Sequence, residues 1–188
     1  HMSQLTEIRW HARAGQGAVT AAKLVAETAL SMGRYMQAMP EYGPERAGAP
    51  LKAFTRVCDT PIEVHNNVVN PKIVVVLDDT LLPLVDIAEG ILPGGFIIIN
   101  TKMTPQEAKA KLNVSDDITV ATVDASGIAM ATIKRDIPNA AIVSAVIRVT
   151  GVVPLEEFKA HFEGSFAKKE LVPANMEAID RAYEGVQL

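Results

Sequence analysis

Three features of the sequence predict an α/β domain in three layers around a largely parallel sheet. The stretches Lys72–Leu77 and Phe96–Asn100 carry continuous runs of β-branched residues, as strands buried on both faces do. Amphipathic stretches closed by glycine lie between such runs, beginning with Ala18–Met32 and Gly33. The 188 residues are 48% hydrophobic and 21% charged, enough to bury a sizeable core, and no linker divides them. One domain is expected over residues 3–188, with His1-Met2 read as a tag remnant.

Leu5–Ala12 alternates in part and reads as the first strand, broken by Gly15-Gln16-Gly17. From Ala18 to Met32 the polar positions Thr20, Lys23, Glu27, Thr28 and Ser31 form a narrow stripe on an otherwise apolar helix. Tyr35–Met39 reads as a second strand, and Met32, Met36 and Met39 around it as core packing. Three prolines and two glycines from Pro40 to Pro50 exclude a regular element there. Leu51–Val57 alternates Leu, Ala, Thr, Val with Lys, Phe, Arg, a strand with one wet or ligand-facing side.

Between the two β-branched runs a helix is expected from Thr80 to Glu89, closed by Gly90. Thr104–Leu112 opens on Thr-Pro-Gln-Glu, a capping sequence with proline at the first helical position. A strand at Ile118–Val123 and a helix at Ala125–Ile133 follow. Asn139–Thr150 is assigned to a helix that Asn139 caps and Gly151 ends. Pro154–Phe162 carries Glu156 and Glu157 in its first turn, favourable against the helix dipole. Met176, Ile179, Tyr183 and Val186 give the tail a helical spacing. The sum is a three-layer α/β/α, Rossmann-like domain.

Composition excludes several functions. A net charge of −4 argues against a general grip on nucleic acid or an anionic membrane. One cysteine, Cys58, and four histidines cannot ligate an iron–sulfur cluster or a structural zinc. Intramolecular disulfides are equally excluded, so a reducing cytoplasm fits. The apolar runs are strand-length, far short of the ~20 residues of a membrane helix.

Ala14-Gly15-Gln16-Gly17-Ala18 lies where a strand feeds a helix, a turn suited to holding an anion, to contacting a subunit, or simply to packing helix on sheet. The dinucleotide fingerprint fails there, because Thr20 stands where its third glycine or alanine belongs. His11 beside the turn reads as a hydrogen-bonded structural histidine, and Cys58 as a small buried or interface residue. Neither His65 nor His161 has a cluster suggesting a metal.

His11-Ala-Arg-Ala-Gly-Gln-Gly-Ala-Val-Thr-Ala-Ala, followed by Glu41-Tyr-Gly-Pro-Glu-Arg-Ala-Gly-Ala-Pro-Leu-Lys-Ala-Phe-Thr-Arg56, resembles the gamma subunit of pyruvate:ferredoxin and related 2-oxoacid:ferredoxin oxidoreductases. The likeness continues through Gly94–Asn100, Asp124-Ala125 and Pro138-Asn139, and covers essentially the whole chain. Ala12 and Ala14 depart from the glycines usual in that family, which weakens a phosphate cradle at the turn.

The resemblance implies a part in coenzyme A-dependent oxidative decarboxylation of a 2-oxoacid, pyruvate favoured and 2-oxoglutarate, branched-chain or aryl acids as alternatives. It implies thiamine diphosphate, magnesium and iron–sulfur clusters on alpha, beta and delta partner subunits or their fused equivalents, with ferredoxin as acceptor. No catalytic residue or metal ligand is assigned to this chain. Arg13, Gly15, Gln16, Gly17, Arg46, Arg56 and Asn100 are the candidates for coenzyme A or anion contact or for facing the active site. With Lys52, the arginines are expected near the ends of adjacent strands. Tyr42, Gly43, Pro44, Glu45 and Arg46 form the expected subunit-interface loop. Two rival readings are a free-standing Rossmann-like nucleotide- or coenzyme A-binding module and a purely architectural subunit.

Overall fold

Strands β1 (Thr6–Arg13), β2 (Tyr35–Pro40), β3 (Pro50–Cys58), β4 (Ile73–Val76), β5 (Phe96–Asn100) and β6 (Thr119–Val123) form one sheet in the order β2-β3-β1-β4-β5-β6. The chain is described by a computed structural model at residues 4–41, 48–166 and 168–188. Pairing is parallel from β1 through β4 and β5 to β6. Strand β3 is antiparallel to both β1 and β2, so it alone runs against the other five. The expected α/β class and the largely parallel sheet are found.

Helices α1 (Ala18–Ser31), α3 (Ala125–Thr132), α4 (Asn139–Thr150), α5 (Leu155–Gly164) and α6 (Val172–Gly185) pack on one face of the sheet. Ile8, Trp10 and Ala12 of β1 point into this layer, against the alanine-rich face of α1. Small side chains there let the helix backbone approach the strands closely. Hydroxyl and indole groups inside the layer are paired. The Trp10 indole donates to Thr55 Oγ1 at 2.9 Å, and the Thr55 hydroxyl donates to the Ala22 carbonyl at 2.9 Å. This links β1, β3 and α1. The Ser144 hydroxyl donates to the Ile179 carbonyl at 2.6 Å, tying α4 to α6.

The opposite face is covered differently. Over β4, β5 and β6 lie α2 (Pro105–Leu112) and an irregular segment supplying Leu82 and Ile87. The capping expected for α2 is present in full, with Thr104 and Glu107 bonding each other's backbone amides. The helix expected over Thr80–Glu89 is not formed. Only Asp79–Leu81 makes a 3₁₀ turn, opened by the Asp78 side chain, and short turns follow. Pro83 lacks the amide a continuing helix needs. The carbonyls of Ile87 and Glu89 are used elsewhere: they accept from Arg9 Nη2 at 2.9 and 2.7 Å.

Three further expectations are corrected. Pro138 occupies the N-cap position of α4, its carbonyl accepting from the Ile142 amide, and Asn139 is the first helical residue and caps nothing. Gly151 does end that helix, in the left-handed region. The Lys52/Phe54/Arg56 side of β3 is not wet, because Phe54 and Arg56 are buried. Met32, Met36 and Met39 are not core: Met32 is 38% exposed and the other two are half-buried.

Arg9 and His11 make the least expected part of the core. Arg9 Nε donates to His11 Nε2 at 2.8 Å, with both side chains buried. The acceptor role of Nε2 leaves the imidazole proton on Nδ1. Burial first, then the charges of Arg9 and Lys52, push the His11 pKa down to about 3. Between about 3 and the ordinary 6.5, the unfolded chain binds a proton that the folded chain refuses. The folded state therefore loses stability as pH falls through that window, by up to about 1.4 kcal/mol per pH unit. Urea titrations from pH 7 to 4 should show this slope in the wild type and a shallower one in His11→Gln. Arg9→Met should cost about 2–4 kcal/mol, since two carbonyls and the imidazole lose their donor. Amide exchange in residues 82–91 should rise in that variant.

Candidate functional site

From β1 the chain goes first to β2 and β3 on one side, then to β4 on the other. In open α/β sheets, a crevice forms beyond the carboxyl ends of strands where the order reverses in this way. A cleft of about 370 Å³ opens there, lined by Gln16, Asp78, Asn100, Thr101, Asp124 and Ser126 among others.

The first residues past each strand build it. Gln16 accepts from the Arg13 amide at 2.6 Å and donates to Asp78 Oδ2 at 2.7 Å, so its carboxamide ties the turn after β1 to the end of β4. Asp78 also accepts from the Thr80 amide and hydroxyl, at 2.9 and 2.6 Å. Burial works to raise its pKa, but the hydrogen bonds from Thr80 and Gln16 and the Arg13 charge outweigh it and hold the carboxyl below its ordinary value. Asn100 donates to the Leu77 carbonyl at 3.0 Å and to Ser126 Oγ at 2.9 Å, and accepts from the Ser126 amide at 3.1 Å. It thereby joins β4, β5 and α3. Thr101 donates to Asp79 at 2.7 Å, and Asp124 caps α3 through the Gly127 amide at 3.0 Å.

The sign of charge matters. Asp78, Asp79, Asp124 and Asp136 line the cleft, opposed by Lys102 alone among the lining residues. A diphosphate does not fit this donor set. The Arg13 guanidinium sits at the rim, donating to Thr80 Oγ1 and to the Gly48 carbonyl, with Asp78 at 3.4 Å. Among the described residues no group of three or more His, Cys, Asp or Glu is arranged to hold a metal ion. Cys58 is buried beside the Thr60 hydroxyl.

Gly15 and Gly17 both have positive φ, at +88° and +83°. Gly17 is the N-cap of α1, and the space beside it is filled by the Asn139 side chain rather than left as an anion cradle. The Oδ1 of Asn139 is buried without a hydrogen-bond partner.

The structure thus brings Arg13, Gly15, Gln16, Gly17 and Asn100 to one end of the sheet. It does not bring Arg56 there. Arg56 is paired with Glu7, at the opposite end of β1, roughly 20 Å along the strand from Arg13. Its guanidinium is sealed in, donating to Glu7 at 2.7 Å and to the Asn66 carbonyl at 2.6 Å. Tyr42, Gly43, Pro44, Glu45 and Arg46 lie outside the described residues. Asp78, Thr101, Asp124 and Ser126 were missed by the sequence reading, although each lies one to three residues beyond a predicted strand.

A profile of the pyruvate ferredoxin/flavodoxin oxidoreductase family matches residues 7–185. The chain belongs to that family. It is 47% identical over 184 residues to pyruvate synthase subunit PorC of Thermotoga maritima, covering 96% of this chain and 94% of that one. It is 42% identical over 180 residues to the common gamma subunit of the pyruvate/ketoisovalerate oxidoreductases of Thermococcus litoralis, covering 96% of each. The crystal structure of pyruvate oxidoreductase subunit PORC from Thermotoga maritima superposes with a TM-score of 0.86, at 42% identity and 98% coverage of both chains. The resemblance drawn from the glycine turn and the proline-rich segment is borne out, and the chain is of this family's gamma-subunit type.

The two glycines of the family turn should respond differently to substitution. Gly15→Ala meets open space and carries only the left-handed backbone cost, about 1–2 kcal/mol. Gly17→Ala adds a methyl 2.6 Å from Asn139 Nδ2 and should destabilise further. Thermal denaturation of the two variants checks the order.

Proposed function

We propose that the chain acts as the gamma subunit of a 2-oxoacid:ferredoxin oxidoreductase whose favoured substrate is pyruvate. The complex converts 2-oxoacid, coenzyme A and oxidised ferredoxin into acyl-CoA, carbon dioxide and reduced ferredoxin. The observation that carries this reading is the near end-to-end correspondence with a pyruvate oxidoreductase subunit, 98% of both chains. Thiamine diphosphate, magnesium and the clusters belong to partner subunits of the alpha, beta and delta type. One cysteine cannot ligate a cluster, and an acidic cleft does not suit a diphosphate. The reading places the enzyme in the cytoplasm, with residues 3–188 as one domain. Among the described residues no helix is long and apolar enough to cross a membrane.

What this chain's residues do is position. Gln16, Asp78 and Asn100 lock the ends of β1, β4 and β5 together, giving the complex a rigid surface at the switch point. Arg13 is the described arginine at that surface and is the proposed contact for a coenzyme A phosphate. Its present bonds to Thr80, Gly48 and Asp78 equally suit an architectural subunit, and the measurement below separates the two roles.

Anaerobic recovery of the tagged chain from its native host should bring thiamine- and cluster-bearing partners with pyruvate- and coenzyme A-dependent reduction of a viologen dye. A chain returned alone and inactive would overturn the subunit reading. In the recovered complex, Arg13→Ala should raise the KM for coenzyme A roughly tenfold, about 1.4 kcal/mol, without loss of partners. An unchanged KM would leave the chain a purely architectural role.

A further inference from the structure

The two edges of the sheet are treated differently. Beside β6, the carboxyl-terminal tail closes a bridge: the Thr122 and Gln187 amides donate to each other's carbonyls at 2.9 and 2.8 Å. At the other end β2 pairs with β3 on its inner side, and no described residue pairs with its outer side.

The register says which groups face out. The Glu41 amide donates to the Lys52 carbonyl at 2.9 Å, continuing the ladder in which Tyr35 pairs with Cys58, Gln37 with Arg56 and Met39 with Phe54. In an antiparallel pair the hydrogen-bonded positions alternate. Odd residues of β2 therefore bond inward, and the N–H and C=O of Met36 and Ala38 and the C=O of Pro40 point outward. Pro40 stands at an outward position, where its missing N–H removes no bond to β3.

Edges are ordinarily protected by charge, a bulge or a covering segment. Tyr35–Pro40 contains no charged residue. A cleft of about 530 Å³ runs beside it, lined by Tyr35, Met36, Met39, Pro61, Ile62 and His65. Tyr35 is 47% exposed. Glu41, the residue that follows the strand, and Glu63, next to Ile62 in the facing segment, are both exposed carboxylates.

We propose that β2 is a docking edge, on which a partner subunit of the oxidoreductase lays an extended apolar strand flanked by a lysine or arginine. The incoming backbone supplies acceptors for the Met36 and Ala38 amides and donors for the carbonyls of Met36, Ala38 and Pro40. Its apolar side chains enter the slot walled by Pro61 and Ile62, and its basic flank meets Glu41 or Glu63. Main-chain bonds give such a joint its affinity and the slot gives it selectivity. A second copy of this chain would bring the same carboxylates to the seam, which favours a different chain. The inference rests on the subunit reading above.

Hydrogen exchange, resolved to single amides, compares the isolated chain with the recovered complex. The Met36 and Ala38 amides should exchange freely in the isolated chain and slow by more than about tenfold in the complex. Ala38→Pro removes one outward N–H and no bond to β3. It should keep the wild-type melting temperature and lose most partner recovery. Equal exchange in both forms, or full recovery with a folded Ala38→Pro, would overturn the docking edge while leaving the subunit reading intact. Protection of these amides by self-association of the isolated chain would assign the edge to a second copy and overturn it too. A wild-type chain that recovers no partner would overturn both readings.

Discussion

The two sides of β1 make opposite demands, and the rest of the molecule is arranged to meet both. Ile8, Trp10 and Ala12 face a dry helical layer, while Arg9 and His11, just as buried, and Glu7 and Arg13, partly buried, alternate with them along the strand. Burying such groups is costly unless each finds a partner. Arg9 takes the carbonyls of Ile87 and Glu89, and Arg56 takes Glu7 and the carbonyl of Asn66. Gln37 takes the carbonyl of Val64. Carbonyls that no helix or ladder has taken up point freely toward such donors, and irregular backbone supplies more of them than a helix does. The covering segments over this half of the sheet are therefore irregular, and the helical layers are unequal on the two faces.

The same logic builds the cleft. Where strands end, backbone groups lose their ladder partners, and side chains just beyond the strands take them up. Asn100 holds the Leu77 carbonyl and the Ser126 amide, Asp124 holds the first turn of α3, and Gln16 holds the Arg13 amide. These groups are spent on shape. A cleft in which carboxylates outnumber cations stays polar without offering a phosphate cradle.

Most of the fold was legible because it is written locally. The β-branched runs, the capping box at Thr104 and Glu107 and the left-handed Gly151 each announce themselves within a few residues. The misreadings share a different cause. Residues 80–89 look helical, but Pro83 interrupts them and Arg9, some eighty positions away, takes the carbonyls of Ile87 and Glu89. Asn139 looks like a cap until its side chain is found filling the space beside Gly17. The alternation of β3 looks like a wet strand, but Arg56 is held by Glu7 and Asn66. The methionines around β2 look like core, yet the strand is the sheet's edge.

The sequence by itself determined the class and the positions of nearly all strands and helices, because periodicity, capping and the glycine turn act over one or two turns of chain, and its resemblance over His11–Ala22 and Glu41–Arg56 pointed to the family. It also set the ligand supply: one thiolate stands where an iron–sulfur cluster ordinarily takes about four. The tertiary structure alone decided that Arg13 lies at the cleft and Arg56 is sealed at the far end of β1, and that no described residue pairs with the outer side of β2. Those outcomes depend on strand order and on hydrogen bonds between residues distant in the chain. A side chain's type states what it must bond to, and only the assembled sheet determines which partner is within reach.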